Sequence, residues 1–98
     1  MTEATLTNDV AALATRHGLL WHHCPDARRC AGPRGLPDLL IAGPGGLLLA
    51  ELKSETGDTS AAQDAWAWTL TRARQQYELW RPEHWRDGTI EKVLSGLV

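Results

Sequence analysis

Asp38, Glu51 and Lys53 lie at the ends of two apolar runs, in the stretch LPDLLIAGPGGLLLAELKS from Leu36 to Ser54. A Gly-Pro-Gly-Gly segment separates the runs, so they read as the two strands of a hairpin. If the turn centres on Pro44-Gly45, Gly43 faces Gly46 and Asp38 faces Glu51 across the ladder. Side chains alternate between faces, so Lys53 shares a face with Glu51. Directly opposed carboxylates lie about 5 Å apart at Cβ. Two negative charges at that separation repel unless one is protonated or a cation sits between them. A hard divalent ion, Mg²⁺ or Mn²⁺, suits such a pair. A neighbouring lysine can help deprotonate a water or neutralise charge on a phosphate. Together these groups are equipped for metal-assisted hydrolysis of a phosphodiester. A surface salt-bridge cluster at a strand end accounts for the same spacing without chemistry.

The elements that must position these groups follow from periodicity. Leu6, Val10, Leu13 and Ala14 predict a helix over about 4–17, stopped by Gly18. LLWHHC, 19–24, reads as a strand, and PDARRCAGPRG, 25–35, as a loop. Strands follow over about 38–42 and 47–53. Ser60 with Gln63 three residues on is a capping-box pattern, opening a helix to about Arg72 with Ala62, Trp66 and Leu70 on one stripe. QQYELW alternates like a strand, RPEHW starts a short helix or turn, and Ile90, Val93, Leu94 and Leu97 indicate a last helix. The order α-β-β-β-α-β-α predicts an α/β fold, a mixed sheet flanked by helices. With 98 residues the chain is one domain, 1–98. A domain this small is marginal alone, which favours a dimer.

The net charge of −2 carries no long-range bias toward nucleic acid, so a DNA reading needs a local basic patch. Arg28, Arg29 and Arg34, in the loop ahead of Asp38, supply one, and arginine binds phosphates through its fork. His22 and His23 point to opposite strand faces, and one can reach the active-site side. The spacing His-His-Cys-x5-Cys, ending in Cys24 and Cys30, fits no familiar structural zinc pattern. Two cysteines are too few for a disulfide framework, and no apolar run approaches membrane-spanning length. The expectation is a cytoplasmic protein with reduced thiols and no membrane partner. Trp66 fits the core, Trp68 on another face of the same helix is left for a partner or groove, and Trp21, Trp80 and Trp85 are packing residues. The surplus of apolar surface predicts a homodimer, joined by the helix bearing Trp68 or by the Leu94/Leu97 stripe.

Pro37-Asp38 with Glu51-Leu52-Lys53 resembles the PD-(D/E)xK nuclease signature. GLPDLLIAGPGGLLLAELKSETGDTSAAQDAW as a whole is similar to the virus-type replication-repair nuclease family, VRR-NUC, and the resemblance runs over about 3–90. It implies a restriction-endonuclease-like core and a Mg²⁺- or Mn²⁺-dependent DNA endonuclease. By position, Asp38 and Glu51 bind metal, Lys53 serves the attacking water, Gln63 supports the site, and Glu3 approaches the metal from the first helix. His23 joins Arg28, Arg29 and Arg34 as a DNA contact. Two departures stand out: Thr7 replaces a glutamine common in the first helix, and RARQQ replaces a glycine before the last strand. Small stand-alone members of the family resemble structure-specific nucleases that act as dimers on branched DNA in phage or bacterial replication, repair or recombination. That places the chain in the cytoplasm of a bacterial or phage-infected cell. The alternatives are a non-catalytic DNA-binding or assembly module on the same fold, and a small structural protein whose hairpin acids are incidental. Gln63 is explained by capping alone as well as by a site role, and Glu3 by the helix dipole.

Overall fold

The computed structural model describes residues 1–24 and 31–98. Arg28, Arg29 and Cys30 lie outside the described residues. The elements run α1 (Glu3–Arg16), β1 (Leu20–His23), β2 (Leu39–Gly43), β3 (Gly46–Leu52), α2 (Ala61–Arg72), β4 (Gln76–Trp80), α3 (Pro82–Arg86) and α4 (Thr89–Ser95). The strands form one mixed sheet in the order β1-β2-β3-β4: β1, β2 and β3 pair antiparallel, and β4 joins β3 in parallel through the α2 crossover. This is an α/β domain with helices on the sheet, as the periodicity predicts. RPEHW forms a helix of its own, so one more helix is present than the seven-element order holds.

Each boundary has a local cause. Thr2 caps α1, its hydroxyl accepting from the Thr5 N–H at 3.1 Å, with Glu3 in the first turn and Arg16 in the last to suit the helix dipole. Ser60 and Gln63 form the reciprocal capping box of α2, at 3.1 and 2.9 Å. Gly43 pairs with Gly46 across Pro44-Gly45, the expected register. A tertiary contact holds this turn, because the Gly45 N–H donates to the Leu97 carbonyl at 2.9 Å. A Cβ on Gly45 would lie 2.4 Å from the Gly96 oxygen, so only glycine lets the C-terminal segment approach so closely.

Alternation divides the sheet into two unlike faces. Leu39 and Ile41 of β2, Leu48, Ala50 and Leu52 of β3, and Trp80 of β4 meet Leu6, Val10, Leu13 and Ala14 of α1 and Ile90 and Leu94 of α4 in the core. Leu97 completes that cluster, so Leu94 and Leu97 are spent inside the subunit and cannot form a dimer contact. The other face carries Leu20, Leu40, Leu47, Leu49 and Glu51. Here α2 gives only partial cover. It has no fully buried residue, and Leu20 stays 78% exposed.

The tryptophans divide differently from the expectation. Trp80 is in the core and Trp85 packs on it. Trp21 is largely exposed and donates to the Thr15 hydroxyl at 2.9 Å. Trp66 lies outside the core cluster and packs on the loop before β2, because its helix never enters the main core. Trp68 is 63% exposed, with the Arg72 guanidinium 4.5 Å from its ring centroid. Cys24 is disulfide-bonded, which overturns the expectation of reduced thiols and removes a thiolate that zinc would need. Among the described residues, no helix is long and apolar enough to cross a membrane.

Candidate active site

The hairpin register sets the site. Leu39 pairs with Ala50, so the next position outward puts Asp38 opposite Glu51. The two are interlocked through the backbone as well. The Asp38 N–H donates to Glu51 Oε2 at 3.2 Å, and the Leu52 N–H donates to Asp38 Oδ2 at 3.0 Å. Glu51 is only 2% exposed. Its carboxyl is pushed up from 4.5 to about 8, chiefly by burial, then by the charge of Asp38 and a hydrogen bond to it, with Lys53 pulling the other way. Lys53 Nζ lies 3.8 Å from Glu51 Oε1. This is the polar cluster that the hairpin spacing anticipates.

Gln63 reaches the same carboxylate. Its Oε1 accepts the Ser60 N–H in the capping box, while its Nε2 donates to Glu51 Oε1. One amide therefore both starts α2 and holds Glu51, so capping and site support are not alternatives. Behind Lys53, Arg81 Nη1 donates to the Ser54 and Gly57 carbonyls at 2.8 Å each, and the Lys53 N–H bonds to the Trp80 carbonyl at 3.0 Å. These bonds fix the chain as it leaves β3 and so fix the lysine's starting point.

On the α1 side, Glu3, Ala4, Thr7, Asn8, His23 and Asp38 line a cavity of about 380 Å³. Glu3 and His23 thus share a cleft with Asp38. Thr7 is engaged with its own helix, donating to the Glu3 carbonyl at 2.9 Å. Among the described residues, no three His, Cys, Asp or Glu side chains close on a common point. The compact acidic set is the Asp38–Glu51 pair, and Glu3 stands across the cleft from it. A buried Glu51 of raised proton affinity, with the half-buried Asp38 opposite and one lysine beside it, could hold a divalent cation that keeps several waters. His22 is exposed and pairs with Leu40, on the sheet face that carries Glu51 and away from α1. Arg34 is exposed and lines a separate cavity on the outer face of α2.

Two neighbours of the site escape the sequence reading. Tyr77 is half-buried on β4 beside Leu49, and its hydroxyl is pushed up to about 12 by burial and then by the charges of Glu51, Asp64 and Asp38. Its alternation with Leu79 places it on the Glu51 face, the one signal available in QQYELW. Asn8 enters the cavity from α1 five residues after Glu3, a spacing with no signature of its own. Compared with known proteins, the chain matches no protein-family model, no curated protein and no solved structure.

Proposed function

We propose that the protein is a Mg²⁺- or Mn²⁺-dependent DNA endonuclease with a PD-(D/E)xK core of the VRR-NUC kind. The observation that carries this reading is the opposition of Asp38 and Glu51, with Lys53 Nζ 3.8 Å from Glu51 and the Gln63 amide on the same carboxylate. Asp38 and Glu51 would hold the ion, and Glu3, which lines the same cleft as Asp38, would add negative charge beside it. Bound there, the ion supplies Lewis acidity for a water and for a phosphate oxygen. Lys53 takes up or relays the proton lost from the attacking water and stabilises charge on the phosphoryl oxygens. Gln63 keeps Glu51 in its ligating orientation. His23 contacts the DNA strand from the cleft wall, and the arginines before β2 contact its phosphates.

A cleavage panel of linear, flap and four-way-junction DNA, with Mg²⁺, Mn²⁺ or EDTA, tests the reading. Metal-dependent cutting of at least one substrate is expected, strongest on branched DNA. Binding without cutting under every condition points instead to a DNA-binding or assembly module, and neither binding nor cutting removes both readings.

The protein acts as a homodimer in this proposal, since a branched substrate needs two cuts and two-fold symmetry supplies two sites. With Leu94 and Leu97 buried, the contact falls to the α2 side of the sheet, where Trp68, Leu20, Leu40 and Leu47 are exposed. Light scattering at low micromolar concentration should give twice the 10.8 kDa chain mass. A mass of one chain would remove the two-site account.

A further inference from the structure

A second cavity, of about 270 Å³, lies between the outer face of α2 and the loop before β2. Ala62, Ala65, Trp66 and Thr69 form its helix wall, at the spacing of one helix stripe, and Pro33 and Arg34 form the other. Its two walls are fastened together. The Trp66 indole N–H donates to the Arg34 carbonyl at 3.0 Å. Gly35, with φ +94°, packs so tightly that a Cβ there would sit 2.4 Å from the Ala62 carbonyl. The cavity is therefore built into the junction of loop and helix. It lies beside the proposed cleavage site, because Ala62 immediately precedes Gln63, whose amide holds Glu51.

We infer that this cavity takes an unpaired nucleobase of the bound DNA strand, next to the bond that is cut. Its wall is mainly carbon and includes an indole, the surface on which a planar base gains stacking energy irrespective of sequence. Its volume equals about nine waters of the liquid, enough for one base. Arg34 is exposed at its edge and suits the phosphate that must accompany the base. A paired base cannot enter without leaving its stack, a cost that falls away when the nucleotide is already unpaired. The cavity thus selects strands with an unpaired nucleotide beside the cleaved bond, as at a flap or junction. This inference rests on the nuclease reading for the role of the neighbouring site.

Ala65→Leu tests it, since Ala65 is exposed on the helix and leucine is a good helix former that would fill the space. The probe is a single-stranded oligothymidylate carrying one 2-aminopurine, with the fully paired duplex as reference, both titrated in EDTA so that no cleavage intervenes. Wild type should bind the single strand and quench the 2-aminopurine. Ala65→Leu should lose about five- to hundredfold in single-strand affinity, the range of one stacked base, with the duplex changed by less than about twofold. Equal binding of the single strand by both proteins, equal losses on both substrates, or a wild-type preference for duplex would each overturn the assignment. Because binding is read without metal, an inactive wild type in the cleavage panel strikes the nuclease reading and leaves the base pocket to stand or fall on this titration.

Discussion

Lys53→Ala is expected to reduce metal-dependent DNA cleavage by about 10²–10⁴-fold, the range for a positioned proton-transfer group, with DNA affinity and fold retained. The strand does not depend on this side chain. Its backbone N–H bonds to the Trp80 carbonyl, and Arg81 anchors the two carbonyls that follow. The side chain, by contrast, has an ion-pair contact with Glu51 at 3.8 Å and little exposure, so its loss removes a cation from the reaction site. Lys53 also holds the Glu51 proton affinity down, so the alanine variant binds Mg²⁺ less well near neutral pH. Cleavage is therefore best compared at saturating Mg²⁺ and about pH 8.5, where that competition fades. Lys53→Arg should recover charge stabilisation but little proton transfer, because a guanidinium stays protonated. An alanine variant within about threefold of wild type under those conditions would dismiss the catalytic role of the lysine, given the range expected for such a group.

The site was legible where a period and a turn determine it. A two-residue turn at Pro44-Gly45 fixes the register, and a slip of one residue would have sent Asp38 and Glu51 to opposite faces. The capping box gave the start of α2. What it could not give is the second hydrogen bond of Gln63, because that depends on how α2 lies over β3 rather than on spacing within the helix. Arg81 and Tyr77 were invisible for the same reason: each acts across elements distant in sequence. The errors share one root. Apolar residues at helical spacing look alike whether they face their own core or a partner, so the spacing leaves Leu94 and Leu97 open to a contact and puts Trp66 in the core, whereas Leu94 and Leu97 are core and Trp66 packs on the loop before β2. The two-cysteine count likewise said nothing of geometry, and Cys24 is bridged.

The metal-free protein should become less stable as pH rises from about 5 to 8, and Glu51 is the cause. Its carboxyl titrates near 4.5 in the unfolded chain and near 8 when folded. Between those values the native state holds a proton that the unfolded state has lost, so the stability contributed by that proton drains away through the interval. The shift corresponds to a few kcal/mol, or a fall in Tm on the order of 10–30 °C for a domain of this size. Glu51→Gln, which carries no titrating group, should flatten this part of the profile. Asp38→Asn should only shallow it, since burial, the largest cause of the raised value, remains. Its amide can also donate to Glu51 while its oxygen still accepts the Leu52 N–H, so the variant should outlast wild type at pH 8 in EDTA. Mg²⁺ reverses the trend in wild type. Its ligands are the ionised carboxylates, so it must displace the Glu51 proton, and its stabilising effect should grow from pH 6 to pH 8. Both variants should lose most of that Mg²⁺ response, each having lost one of the paired charges. Thermal melts in EDTA and in Mg²⁺ across this range decide the matter. If wild type and Glu51→Gln trace parallel pH profiles, or if Mg²⁺ stabilises all three proteins alike, Asp38 and Glu51 do not share one proton-competing cation site.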